Sequence, residues 1–167
     1  MKIVITGAPN SGKTTLVKKL EEQGHLVLHE VAREVIKEGF NFKNSLDFQY
    51  EIFKRTIERN KKIISKKIHF LDVDLIEGIA YLKLKGIEAP EWLHKAASEA
   101  SYDKVFFLES NPIWVDDGVR FQTKEEAEKI GKMIKEAYEN FGFRPIIIPW
   151  ISLNERIELI KKEAGLK

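Results

Sequence analysis

An open, doubly wound α/β fold built on a five-stranded parallel sheet is predicted by three observations. Short apolar runs alternate with longer amphipathic stretches along the whole chain, the pattern of a sheet wrapped by helices. The first apolar run leads directly into a loop containing Gly7 and Gly12 and then into a helical stretch. No repeat, low-complexity segment or Pro/Gly-rich linker breaks the pattern, so residues 1–167 read as a single domain, long enough to bury one sizeable core.

The elements follow in order. Lys2 to Thr6 is an apolar strand, and Lys13 to Gln23 a helix stopped by Gly24. Leu26 to His29 is a second strand, and Val31 to Lys37 a short helix ending near Gly39. Ser45 can cap a helix running to about Lys66, with Phe48, Ile52, Ile57, Ile63 and Ile64 at roughly helical spacing. Ile68 to Leu71 is a third strand that ends at Asp72. Helices are expected over Leu75 to Leu84 and Pro90 to Ala100, with Pro90 in the first turn, where its missing N–H costs nothing. Lys104 to Leu108 is a fourth strand, Ser110 to Gln122 a loop rich in turn formers, and Lys124 to Asn140 a helix. Phe143 to Ile148 is the fifth strand, and Ser152-Leu153-Asn154-Glu155 is a capping box that opens the last helix. In such a sheet the ligand is expected at the carboxyl ends of the strands.

Composition narrows the function classes. A hydrophobic content of 43% with 32% charged residues suits a globular chain, and a net charge of +2 gives no push toward nucleic acid or an anionic membrane. Cysteine is absent, which excludes disulfides, thiolate zinc sites and cysteine nucleophiles. Met1-Lys2-Ile3 enters the first strand without the apolar stretch and cleavage site of a secretory signal, and no run approaches the length of a membrane span; a cytoplasmic location is expected.

Gly7-Ala8-Pro9-Asn10-Ser11-Gly12-Lys13-Thr14 carries the pattern Gly-x4-Gly-Lys-Thr between a strand and a helix, which is the context a Walker A phosphate loop requires. The glycines let successive amide N–H groups curl around a phosphate, and the helix N-terminus favours the anion. In this reading the Lys13 ammonium reaches the β- and γ-phosphates, Thr14 offers its hydroxyl to Mg²⁺, and Thr15 assists at the α-phosphate. A bound nucleoside triphosphate with Mg²⁺ is the expected cofactor pair.

Carboxylates are expected at the same end of the sheet. Asp72 closes the third strand where a Mg²⁺-holding carboxylate would stand, and Asp74 lies two residues on; either can instead cap the following helix. Glu30 follows the second strand, where it can take a proton from a substrate hydroxyl or simply sit at a helix N-terminus. Arg33, one turn along, is a candidate partner for Glu30 or for substrate. In the polar loop after the fourth strand, Arg120 is the candidate cation of a closing lid and Lys124 a weaker one. Asp116 and Asp117 there order the loop or contact sugar hydroxyls. His25, His29, His69 and His94 show no metal spacing. Phe40, Phe42 and Phe48 read as core, with a place in a substrate pocket as the alternative.

Beyond the loop, three segments carry a resemblance: Glu30-Val31-Ala32-Arg33-Glu34, Phe70-Leu71-Asp72-Val73-Asp74, and Asn111-Pro112-Ile113-Trp114-Val115-Asp116-Asp117-Gly118-Val119-Arg120. Over nearly its full length the chain resembles the small P-loop kinase-like ATPases grouped with the ribosylnicotinamide kinase domain of the bifunctional bacterial NAD-biosynthesis regulator. The resemblance implies a three-layer, nucleoside-monophosphate-kinase-like fold and ATP–Mg²⁺-dependent phosphorylation of a small hydroxyl acceptor, such as nicotinamide riboside. It places Glu30 and Asp72 or Asp74 in the acceptor and metal sites. Where many relatives carry Asp-Arg, this chain has Asp72-Val73, so a phosphate-side arginine is missing there.

Two other functions compete. A nucleoside-triphosphate hydrolase or switch needs no acceptor; a GTP-binding one would favour an Asn-Lys-x-Asp motif after a strand, which is absent, and Pro149-Trp150-Ile151-Ser152 looks more like an adenine platform. A non-catalytic nucleotide-binding module is the weakest, because the phosphate loop, Asp72 and Arg120 together form a catalytic complement.

Overall fold

A computed structural model describes residues 1–29, 31–39, 46–63, 66–72, 74–113 and 123–166, with Arg33 described by its backbone only. The elements run β1 (Lys2–Gly7), α1 (Lys13–Glu22), β2 (Leu26–Leu28), α2 (Val31–Lys37), α3 (Leu46–Lys61), β3 (His69–Asp72), α4 (Leu75–Leu84), α5 (Glu91–Ser98), β4 (Lys104–Leu108), α6 (Lys124–Asn140), β5 (Ile146–Ile148) and α7 (Leu153–Ala164). The five strands form one parallel sheet in the order β2-β3-β1-β4-β5. The chain builds β2 and β3 on one side of β1 and then β4 and β5 on the other. That reversal opens a crevice at the carboxyl end of β1, and the phosphate loop sits there.

Strand alternation sends Ile3 and Ile5 to one face and Val4 to the other. On the first face they meet Leu16, Val17 and Leu20 of α1 and Ile157, Ile160 and Ala164 of α7. On the second, Val4 and Leu71 meet Leu75, Ile76 and Ile79 of α4, Leu93 of α5, and Ile130, Ile134 and Tyr138 of α6. These are the three layers expected. Among the described residues no helix is long and apolar enough to cross a membrane.

The expected bounds hold for α2, α4, β4 and α6 and shift elsewhere for local reasons. β5 begins at Ile146, not Phe143, because Pro145 has no N–H for the ladder and the Phe143 ring packs beside Tyr102 and Tyr138. Pro90 is the extended N-cap of α5 (φ −66°, ψ 153°) rather than a first-turn residue. β3 takes in Asp72, and α3 ends at Lys61, short of the expected Lys66. Ser45, the expected cap of α3, lies outside the described residues. The Ser152–Glu155 capping box is formed, and a second one, Thr123 with Glu126, opens α6.

Candidate active site

The phosphate loop is shaped by residues that its sequence supplies. Gly7 sits so close to β4 that a Cβ there would lie 2.6 Å from the Leu108 carbonyl oxygen. Gly12, at φ 71°, is the left-handed N-cap of α1, a conformation that a side chain disfavours. Asn10 is also left-handed, at φ 64°, which asparagine tolerates better than most residues. Behind the loop, α6 comes so near that Gly131 leaves space only for the Ala8 methyl; a Cβ there would be 2.8 Å from it. The stem of the loop after β4 rests on the phosphate loop: the Asn111 N–H donates to the Asn10 carbonyl at 3.0 Å and the Ser110 hydroxyl to the Pro9 carbonyl at 3.3 Å.

Lys13 does not reach into empty space. Its ammonium donates to Glu77 Oε1 at 2.8 Å and, at 3.4 Å, to the Gly7 carbonyl. Glu77 Oε2 accepts from the Thr6 hydroxyl at 2.5 Å. Burial is the largest influence on the Lys13 pKa and acts to lower it; the charge and hydrogen bond of Glu77 outweigh it and raise the pKa above the ordinary lysine value. Glu77 is the sole charged residue of the apolar stretch Leu75 to Leu82, and that isolation is its one signal in the sequence. A lone acid in such a stretch is buried with its helix face and must find a partner.

Gly7 through Thr15 line one cavity of about 520 Å³ together with Asp72, Asp74 and Glu77. Its other wall comes from one face of α3 and from α4: Phe48, Gln49, Ile52, Phe53, Thr56 and Arg59, opposite Gly78 and Tyr81. Thr14 and Thr15 are exposed at the start of α1, while Asp72 is buried at the end of β3, level with Ile5. A Mg²⁺ site here would use the Thr14 hydroxyl, the Asp72 carboxylate, phosphate oxygens and water. Among the described residues no cluster of three or more acids and histidines forms a metal cage, and a triphosphate-bound Mg²⁺ needs none.

Asp74 takes the capping role weighed for it. Its Oδ1 accepts from the Ile76 and Glu77 amides, at 2.8 and 3.2 Å, and from the Tyr138 hydroxyl at 2.8 Å. Burial pushes its pKa up to about 6, against the opposing pull of these three donors. All three donors meet Oδ1, and Asp74 also lines the cavity, so the cap leaves the substrate contact expected of Asp74 open to test. Arg59 enters from α3, and its guanidinium donates to the His29 carbonyl. Burial lowers its pKa, opposed by the charges of Glu34, Asp72 and Asp74. Phe48 is both core and cavity wall: it packs on Val31 and Val35 and lines the pocket. Phe40 and Phe42 lie outside the described residues, as do Glu30, Asp116, Asp117 and Arg120 and the side chain of Arg33. Lys124 stands on the surface of α6, 4.0 Å from Glu128.

A family model described as an AAA domain matches residues 2–156. The chain belongs to this AAA-domain family. Its fold is that of P-loop nucleoside and nucleotide kinases. A crystal structure of NadR protein in complex with NR aligns over 99% of this chain and 52% of its own, with a TM-score of 0.77 at 21% identity. The AAA-domain chain thus spans about half the length of NadR. Thymidylate kinase from Ehrlichia chaffeensis aligns over 98% of both chains, with a TM-score of 0.68 at 18% identity. Deoxyadenosine kinase from M. mycoides with bound dATP aligns over 99% of this chain and 100% of its own, at 0.64 and 16%.

Proposed function

We propose that this protein is an ATP–Mg²⁺-dependent kinase that phosphorylates a hydroxyl of a nucleoside-like small molecule, with nicotinamide riboside as the first acceptor to test. One observation carries the reading: the phosphate loop shares a single cavity with side chains of α3 and α4. A hydrolase needs room for a water. A kinase needs room for an acceptor, and Phe48, Phe53 and Tyr81 with Gln49 and Arg59 offer ring faces and hydrogen-bonding groups suited to a nucleobase and its sugar. The NR held by NadR and the dATP held by deoxyadenosine kinase agree with that class of ligand.

The steps divide among the residues as follows. The phosphate-loop amides and Lys13 hold the β- and γ-phosphates, Lys13 exchanging Glu77 for the nucleotide. Thr14 and Asp72 would hold Mg²⁺, which neutralises charge on the phosphates when bound. Glu30 accepts the proton of the acceptor hydroxyl as the phosphoryl group arrives. Arg120 closes over the transferring oxygens, with Asp116 and Asp117 ordering its loop and Arg33 contacting the acceptor. The adenine rests near Trp150, whose ring lies 3.4 Å from the position of a Cβ on Gly12 and is 37% exposed.

The test is ADP formation with and without a panel of nucleosides. Acceptor-dependent ADP is expected, with slow background hydrolysis. Glu30→Gln lowers the acceptor-dependent rate by about 10²–10⁴-fold while sparing ATP binding. Arg120→Ala lowers transfer and background together. Fast hydrolysis without any acceptor, unaffected by Glu30→Gln, would replace the kinase by a hydrolase.

A further inference from the structure

Arg156 of α7 is a buried cation, 2% exposed, and among the described residues no carboxylate pairs with it. Burial alone shifts its pKa, downward. Its Nη2 donates to the Ser11 carbonyl at 2.7 Å, and its guanidinium lies over the Trp150 ring, 5.0 Å from the centroid. Its Nη1 comes within 3.2 Å of where a Gly12 Cβ would stand. Yet Arg156 does not line the cavity. It presses on the phosphate loop from behind, 145 residues away in sequence.

A buried cation without a carboxylate is costly, and the cost is tolerated where a ligand supplies the missing charge. The peptide between Ser11 and Gly12 shows how that charge acts across the loop. In a trans peptide the C=O and N–H point in opposite directions. Among the described residues no peptide is cis. With the Ser11 carbonyl turned toward Arg156, the Gly12 N–H of the same peptide points away from Arg156. A guanidinium on the carbonyl also polarises that amide and strengthens its N–H as a donor.

We infer that Arg156 is a positioning residue for triphosphate binding, which aims and polarises the Gly12 N–H and supplies from behind the loop a charge that the nucleotide phosphates complement. The inference rests on the nucleotide-binding reading above and adds a residue to it. It sets a signature that a strut would not have. The benefit grows with the number of phosphates, and the nucleotide-free fold gains nothing from the charge.

The experiment measures calorimetric affinities for ATP, ADP and AMP, at two salt concentrations, together with the Tm of the nucleotide-free protein. Wild type, Arg156→Gln and Arg156→Lys are compared. Glutamine keeps an N–H donor for Ser11 but loses the charge. It is expected to weaken ATP about tenfold and AMP by less than about twofold, with a shallower salt dependence. The nucleotide-free Tm falls no further than in Arg156→Lys, since both variants lose the stacking on Trp150. Lysine keeps the charge without the planar fork, and is expected to retain ATP affinity within about threefold while lowering the Tm through lost stacking on Trp150. Equal losses for ATP, ADP and AMP with a Tm lower in Arg156→Gln than in Arg156→Lys would make Arg156 a strut and overturn the inference; so would unchanged affinities. If Arg156→Gln does not fold, an ATP loss in Arg156→Lys as large for AMP overturns it equally. A wild type that binds no triphosphate overturns the nucleotide reading itself and this inference with it.

Discussion

The two faces of the sheet differ in kind. Beneath α1 and α7 the interior is apolar, from Ile3 and Ile5 through Phe70 and Phe106 to Ile160, with Arg156 buried at its edge against the phosphate loop. Beneath α3, α4 and α6 it is crossed by buried polar contacts: Thr6 and Lys13 on Glu77, and Tyr138 on Asp74. Each buried acid there has partners, as it must, because an unpaired one would cost several kcal/mol. The difference shows how the two sides of one sheet divide the tasks. The apolar face holds the sheet and α1 rigid, and the polar face carries groups whose partners a ligand can replace. Lys13 stands at the boundary, on a helix of the first face with its ammonium on an acid of the second.

The largest effect should come from breaking that bridge. Lys13→Ala is expected to reduce turnover by roughly 10²–10³-fold or more, since it removes a preorganised charge from the transferring phosphates. It also removes the cation from Glu77, whose Oε2 keeps the Thr6 hydroxyl, so the Tm should fall. Lys13→Ala with Glu77→Gln should restore the Tm and leave turnover lost. Steady-state kinetics and melting of the single and double variants check this; near-normal turnover in Lys13→Ala would remove the Walker A reading. The opposite face should behave in the opposite way. Leu20→Ala, at a fully buried α1 position, should cost about 2–5 kcal/mol of stability by denaturant unfolding, with the KM for ATP unchanged at 25 °C. Smaller again, Tyr138→Phe removes one of three donors to Asp74 and should cost about 1–2 kcal/mol, because the two α4 amides still cap the carboxyl.

The contrast also explains what could be read from the sequence. The phosphate loop, the Ser152–Glu155 capping box and the bounds of α4 and α6 are set by neighbours a few residues apart, so periodicity and turn chemistry reveal them. Asp72 follows from the strand it ends. Glu77 does not, because Thr6 and Lys13 lie 71 and 64 residues away and are brought to it by the β1–β3 pairing. Arg156 reads as surface charge next to the Ser152 cap. Its burial becomes legible only when Ile160, four residues on, is seen to share its helix face. The α3 wall of the cavity was likewise ambiguous: Phe48 has the spacing of a core residue and is one, but that same face continues into the pocket.

The smallest prediction tests the apolar face with a charge. His25, between α1 and β2, sets its ring edge-on to Phe70 of that core, with centroids 5.5 Å apart. Burial, and then the charge of Lys161, lower its pKa below the ordinary histidine value of 6.5. The unfolded chain therefore binds this proton more readily than the folded one. Stability rises with pH wherever the unfolded state holds more protons, so the contribution is complete above about pH 6.5 and is lost as the pH falls through the lowered value. Between pH 7.5 and 5 the wild-type Tm should drop by slightly more than that of His25→Gln, by under about 2 °C. Carboxylate titrations are common to both proteins and cancel in the difference. Parallel profiles would mean that the ring meets water freely in either charge state. A larger drop in wild type would mean that the apolar face resists even a charge at its margin, whereas the polar face accommodates several at its centre.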